Sequence, residues 1–239
     1  MSLKEIKGEK SNMYRFVTHT WNPVRGKCHF DCSYCYVDRW GGERKHVFFD
    51  SSFLKDNLGE GRFIFICSGC DLFYPSLPSE WIYAIKAHTM KYPRNKYLWH
   101  TKNPQRLVEL IEPGPSDIAC VTIESNEGYP SISKAPLPVE RVKYLSQWEG
   151  QRMITVEPIL DFDFYAFVGM IHEINPIQVN IGADSGGNNL PEPPREKIIE
   201  FIAELNKFST VHCKKNLDRI LNPKPANRYP LAHMPGGEK

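Results

Sequence analysis

Apolar and polar positions along this chain switch repeatedly between two periods. Short runs rich in β-branched and aromatic residues read as strands: Arg15–Thr20, Arg62–Cys67, Lys96–His100, Ile118–Ile123, Arg152–Val156, Ile177–Ile181 and Ser209–Cys213. Stretches of helical spacing lie between them: Ser79–Tyr92, Pro104–Ile111, Val139–Trp148, Phe162–Ile174 and Arg195–Phe208. In the first, Ser79 reads as an N-cap and Trp81, Ile82, Ile85 and His88 share a face; Pro104 sits at a first-turn position of the second. In the last, Ile198, Ile199, Ile202 and Leu205 form one apolar stripe. Strand–helix alternation of this kind predicts an α/β fold with a parallel sheet covered by helices. Six or seven such units suit a single-domain partial or complete (βα) barrel; an open doubly wound sheet is the competing architecture. The barrel domain is expected over residues 1–221, and the Pro-rich remainder, 222–239, reads as an extended tail. The long link Val37–Gly61 has room for one or two helices.

Composition narrows this only a little. A 239-residue chain with 41% hydrophobic residues can bury a sizeable core. With 30 basic and 28 acidic residues the net charge is +2, which excludes a strongly electrostatic, sequence-blind nucleic-acid binder. The first residues carry no apolar signal segment and no stretch is long and apolar enough to span a bilayer, so a cytoplasmic protein without membrane contact is expected.

The seven cysteines change the picture more. Cys28, Cys32 and Cys35 are spaced C-x3-C-x2-C, close enough for three thiolates to hold three corners of a cubane 4Fe-4S cluster. No fourth cysteine follows nearby, so one iron would stay open to a small molecule. A half-built zinc site is the alternative, although structural zinc takes four ligands and His29 is poorly placed among the cysteines. A disulfide framework needs an oxidising compartment that nothing here indicates. The spacing, with Tyr34 just before the last cysteine, resembles the signature of radical S-adenosylmethionine (SAM) enzymes. That resemblance implies a 4Fe-4S cluster and SAM as cofactors, reductive cleavage of SAM to a 5′-deoxyadenosyl radical, and a reducing partner such as flavodoxin or ferredoxin.

Other chemistry-bearing residues fall at the predicted strand ends, where βα barrels keep their active sites. The ends read Thr20-Trp21-Asn22-Pro23 leading to the cysteines, Ser68-Gly69-Cys70-Asp71-Leu72-Phe73, Thr101-Lys102-Asn103-Pro104, Thr122-Ile123-Glu124, Val156-Glu157-Pro158, Gly182-Ala183-Asp184-Ser185-Gly186-Gly187 and Lys214-Lys215-Asn216. Among them the Thr-Trp-Asn-Pro-x-x-Gly-x-Cys entry, Ser-x-x-Asp-Leu-Phe, Thr-Lys-Asn-Pro, Thr-x-Glu and Glu-Pro-Ile-Leu follow in an order that, from about Thr18 to Lys215, resembles a phage- and bacteria-associated radical SAM family of formerly unknown function, some members of which are linked to hypermodification of thymine in phage DNA. The resemblance implies that Cys28, Cys32 and Cys35 ligate iron and that Tyr34 lies beside the cluster near the SAM adenine. It further implies that Ser68, Gly69 and Asp71 receive the SAM amino group, that Glu124 accepts from ribose hydroxyls, and that Lys102 pairs with the methionine carboxylate. Glu157, Asp184 and Lys214 would face the substrate, and Cys70 could approach SAM or donate a hydrogen atom.

Plainer roles stand beside these. Asp71 could cap a helix before Leu72. Lys102 could be a solvated loop charge, Glu157-Pro158 a strand end, and Ser185-Gly186-Gly187 a flexible turn. Gly41-Gly42-Glu43 spells a triplet that many radical SAM enzymes use for the SAM amino group, but here it precedes the second strand and reads as a turn. Cys67 reads as a small apolar residue, and Cys120 and Cys213 as strand core. Arg25, Lys27, Lys102, Lys214 and Lys215 are expected on one face of the barrel, able to hold phosphates or a carboxylate. The resemblance implies an isomerase, aminomutase-like, acting on an amino-acid-modified thymine in DNA or on a nucleotide, in the host cytoplasm if the chain is phage-encoded. Duplex DNA would need base flipping. A radical SAM lyase or repair enzyme on nucleic acid is the second reading, and a non-catalytic SAM- or cluster-dependent regulatory protein the third.

Overall fold

The structure, a computed structural model, describes residues 3–7, 13–40 and 46–223. The triplet Gly41–Glu43 and all but the first two residues of the predicted tail lie outside the described residues. Among the described residues ten strands form: β1 (Leu3–Glu5), β2 (His19–Trp21), β3 (Val24–Arg25), β4 (Phe48–Phe49), β5 (Phe63–Ile66), β6 (Lys96–Thr101), β7 (Asp117–Thr122), β8 (Gln151–Val156), β9 (Gln178–Ile181) and β10 (Thr210–Cys213). The helices are α1 (Ser79–Thr89), α2 (Pro104–Leu110), α3 (Pro138–Leu145), α4 (Phe164–Ile174), α5 (Arg195–Leu205) and the short α6 (Asp218–Leu221). The link after the cysteines holds two 3-10 turns, Tyr36–Trp40 and Ser51–Lys55.

Strands β2, β5, β6, β7, β8, β9 and β10 pair in that order, all parallel, and β1 adds an antiparallel edge on β2. The order never reverses, so successive crossovers of one hand keep the helices on one face. That rules out the doubly wound alternative and leaves a partial barrel of seven parallel strands. Side chains alternate between its faces. Ile64, Ile66, Trp99, Val121, Ile154, Val179 and Ile181 point outward and are buried under the helices. Phe65, Leu98, Ile118, Cys120 and Met153 point inward and pack with Tyr14 and Val17.

Tyr14 and Val17 explain the largest departure from the predicted strands. The chain turns there, with the Val17 amide donating to the Tyr14 carbonyl at 3.0 Å, so both side chains enter the interior three residues apart. A period-2 strand cannot do that, and β2 begins only at His19. Tyr14 plugs the concave face, its hydroxyl 2.7 Å from Thr155 Oγ1 on β8, while the ammonium of Lys214, just past β10, lies 4.7 Å from the Tyr14 ring. The two ends of the sheet therefore curl toward each other. β1 has no apolar pattern, and edge pairing with β2 alone creates it.

Two details differ from the sequence reading. Pro78, not Ser79, occupies the N-cap of α1, and the Ser79 hydroxyl instead accepts from Arg106 Nη2 at 3.0 Å. Cys120 is core as expected, but Cys213 is exposed, because β10 is an edge strand.

Asp117 ties the start of β7 to its neighbours. Its carboxylate accepts from Trp99 Nε1 and the Gly114 amide, each at 2.7 Å, and from Lys86 Nζ. Asp117→Ala strands a buried indole N–H and a half-enclosed ammonium, and is expected to lower the unfolding free energy by about 2–3 kcal/mol in a urea titration. An unchanged midpoint would show that water satisfies both donors.

Candidate active site

The cysteine loop hangs from the C-terminal end of β2. The antiparallel β3–β4 pair brackets it, and Gly26 is required there: at φ +126°, a Cβ would lie 2.6 Å from Val47 Cα. Within the loop, the Cys35 amide donates to the Cys32 carbonyl at 2.9 Å. The amides of Phe30 and Asp71 point at the Cys28 sulfur, whose thiol burial pushes up to about 12. His29 is turned outward against the Tyr74 ring, 5.0 Å between centroids, so it does not join the cysteines. The link between β7 and α3 zips onto the loop: the Ser33 amide donates to Ile132 O and the Lys134 amide to Phe30 O, both at 2.8 Å. Ser133 Oγ lies 3.1 Å from Cys32 Sγ.

All three cysteines line one cavity of about 630 Å³ at the C-terminal edge of the sheet. That volume is in the range of small-molecule sites, about 300–1,000 Å³. Its inner floor is Tyr14, Phe65, His100, Thr122 and Thr155, which the inward faces of four strands and the turn before β2 supply. Burial, with Lys102 and Lys214 nearby, holds the His100 pKa down to about 3, so a neutral imidazole sits there with Nε2 2.9 Å from Thr122 Oγ1.

The cavity brings together Tyr34, Ser68, Gly69, Cys70, Asp71, Lys102, Glu157, Asp184 and Lys214 with the cysteines. Glu124 is the one candidate outside its lining. Several of these side chains bond to one another. Asp71 does not cap a helix: it accepts from the Phe73 amide at 2.9 Å, Thr101 Oγ1 at 2.8 Å and the Lys102 amide at 2.8 Å, bracing the loop after β5 against the end of β6. Burial raises its pKa against those donors. Asn22 Oδ1 accepts from Ser68 Oγ at 3.1 Å and the Gly69 amide at 3.3 Å, and Tyr36 donates to the Ser68 carbonyl. Lys102 is not a solvated charge. Its ammonium donates to Glu124 Oε1 and the Tyr34 hydroxyl, each at 2.7 Å, and Tyr34 donates to the same Oε1. Arg141 of α3 donates to Glu124 Oε2 at 2.6 Å. Burial alone would push the Glu124 carboxyl up, but Lys102 and Arg141 hold it far below the usual range.

Across the cavity Lys214 Nζ and Asn216 Nδ2 donate to Glu157 at 2.5 and 3.1 Å. Gly182 is needed beside them, since a Cβ would lie 2.7 Å from Glu157 Oε1. Asp184 accepts from the Gly186 amide at 2.9 Å and from Asn188, ordering the Ser185-Gly186-Gly187 turn. Arg25 and Lys27 pair with Asp50 and Asp31 at 2.7 and 3.3 Å. Four of the five basic residues expected to hold phosphates are therefore committed to carboxylates.

The donor set can be tested against a metal group. Among the described residues no three His, Cys, Asp or Glu side chains converge on a single ion. Zinc needs such convergence. A cubane takes one thiolate per iron and wants separated sulfurs facing one space, which is how Cys28, Cys32 and Cys35 stand. Cys67 and Cys70 also reach the lining, both buried, and burial pushes the Cys67 thiol to about 12. Sequence reasoning missed Tyr14, His100, Thr155, Ser133 and Arg141. The inward register of β6 and β8 was the signal for His100 and Thr155.

No protein-family model and no curated protein sequence matches this chain. Solved structures do. A spore photoproduct lyase variant superimposes with TM-score 0.62 at 8% identity, over 84% of this chain and 78% of that one. Another, with dinucleoside spore photoproduct, gives TM-score 0.52 at 9% identity, over 83% of this chain and 63% of that one. SuiB of Streptococcus suis bound to S-adenosylmethionine gives 0.59 at 9% identity, over 85% of this chain and 52% of that one. The chain thus spans less than two thirds of two of these three solved chains. At such identities the likeness establishes one thing, that this chain has the partial-barrel fold of spore photoproduct lyase and SuiB.

Proposed function

We propose that this chain is a radical SAM enzyme. The observation that carries the reading is the opening of Cys28, Cys32 and Cys35 into one cavity at the C-terminal edge of a seven-stranded parallel sheet. Those cysteines would hold a 4Fe-4S cluster, and Ser68, Gly69 and Asp71, on the neighbouring strand end, would face bound SAM. When bound and reduced, the two cofactors supply a 5′-deoxyadenosyl radical that takes a hydrogen atom from carbon. The chain's own part is shape and exclusion of water. Tyr14 and Phe65 close the floor, and Lys214 with Glu157 closes the far wall. Cys70, buried in the same lining, would be the residue that returns a hydrogen atom.

The substrate proposed is an amino-acid-modified thymine, presented in DNA or as a nucleotide and rearranged in an isomerase, aminomutase-like reaction. The neutral His100 and the threonine hydroxyls offer uncharged hydrogen bonding to a base, and the Glu157–Lys214 pair offers opposite charges to an amino-acid group. The pairing of Arg25, Lys27 and Lys102 with carboxylates favours recognition of the base over a phosphate grip. A lyase or repair reaction on nucleic acid is the second reading, favoured by the dinucleoside in the spore photoproduct lyase structure that this fold matches. Deuterium-labelled substrates separate the two. Label from the amino-acid side chain of a modified thymine, appearing in 5′-deoxyadenosine, supports the first. Label only from a dimeric photoproduct supports the second, and label from neither pool contradicts both.

A further inference from the structure

Ser133 reaches the cysteine loop from 101 residues away in sequence, and once Cys32 is a thiolate the hydroxyl is the only one of the two groups with a proton to give. The Ser133 oxygen accepts the Ala135 amide at 3.2 Å. Its own hydrogen is left for Cys32 Sγ at 3.1 Å, within reach of a hydrogen bond to sulfur. A metal-bound thiolate has no proton to give, so with iron in place the hydroxyl is the donor. The backbone holds this contact on both sides. Ser33 N to Ile132 O and Lys134 N to Phe30 O, each 2.8 Å, clamp the two segments in register, and Lys134 Nζ adds a 2.7 Å bond to Asp31. The hydroxyl is therefore fixed by main-chain pairing rather than left to a mobile side chain.

We propose that Ser133 is a positioning residue that sets the reduction potential of the iron–sulfur cluster by donating a hydrogen bond to the Cys32 sulfur; this rests on the radical SAM reading above. The reduced cluster carries one more negative charge than the oxidised one, and part of it resides on the ligand sulfurs. A fixed O–H donor stabilises that charge and so raises the potential. The Cys28 sulfur receives its donors from the Phe30 and Asp71 amides, which substitution of side chains does not remove. Cys32 differs in taking its donor from a side chain, so its contribution can be deleted singly.

The test is a redox titration of the reconstituted full chain, followed by electron paramagnetic resonance of the reduced cluster. Ser133→Ala is expected to shift the one-electron reduction equilibrium about tenfold toward the oxidised form, about 59 mV more negative. Ser133→Thr keeps the hydroxyl and is expected to restore the wild-type potential. Lys134→Ala removes the neighbouring tether to Asp31 but not the hydroxyl, and is expected to leave the potential unchanged. An Ser133→Ala protein with an intact cluster and an unshifted potential overturns the proposal. So does loss of iron in Ser133→Ala but not in Ser133→Thr, which would make the hydroxyl a holder rather than a tuner. Wild-type protein that takes up no iron overturns the radical SAM reading itself, a result distinct from either.

Discussion

Replacing Glu124 by alanine is expected to cost about 3–5 kcal/mol of folding free energy. The carboxylate is buried, with 7% of its side chain exposed, and it takes Lys102 on one oxygen and Arg141 on the other. Those cations are themselves 13% and 4% exposed, so Arg141 cannot recover its lost partner from water and Lys102 has only the cavity to turn to. Arg141 keeps its bonds to the carbonyls of Pro136 and Thr122, but both cations then face a void without an anion. Glu124→Gln fills the void and keeps some hydrogen bonds, so a smaller loss is expected. Acid follows the same logic. The folded Glu124 carboxyl is depressed below its unfolded value of 4.5, so its contribution is complete above about pH 4.5 and is lost as pH falls through the folded value. Glu124→Gln should flatten that part of the acid limb. Urea titrations at several pH values check both, and an Ala variant with the wild-type midpoint would mean the cluster of charges merely breaks even.

Cys32→Ala is expected to have the largest effect on cofactor binding. Reconstituted without oxygen, the wild-type chain should take up about four iron atoms, with the absorption of a 4Fe-4S cluster. Removing one of three thiolates leaves two irons without a protein ligand. Cys28→Ala and Cys35→Ala should behave alike, because each sulfur serves a separate iron. Folding should survive, since the three cysteines are only partly buried and Cys28 and Cys32 touch the core from its edge rather than filling it. Retention of full iron in all three variants, or stoichiometric zinc in the wild type, would be incompatible with the assignment. Cys70→Ala, by contrast, should keep its iron.

Much of this was legible before any coordinates. Apolar periodicity placed α2, α4 and α5 within a few residues, because each buries one stripe against the sheet: Leu107 in α2, Phe167 and Ile171 in α4, Ile198 and Leu205 in α5, where Phe201 is buried and the expected Ile199 is exposed. Strand ends could be read as the place for chemistry because parallel strands all finish at one edge, and that edge carries the cavity. Contacts between loops were not legible. Arg141 lies 17 residues from Glu124 and looks like any cation on an amphipathic helix until α3 packs beside β7. Ser133 sits in a stretch without periodicity, and only the docking of two loops brings it to Cys32. Tyr14 immediately precedes the expected strand Arg15–Thr20, and only the turn it makes with Val17 aims it into the interior. The roles expected of Lys102 and Glu124 rested on resemblance. Their mutual ion pair, with Tyr34 between them, depends on three elements meeting, and no local pattern encodes that.

The most direct test of the central claim is formation of 5′-deoxyadenosine by the anaerobically reconstituted, dithionite-reduced chain supplied with SAM, measured beside Cys32→Ala. The account predicts product from the wild type and none above background from the variant. A wild-type chain that holds its cluster and binds SAM yet forms no 5′-deoxyadenosine, with or without modified nucleotides, would contradict it.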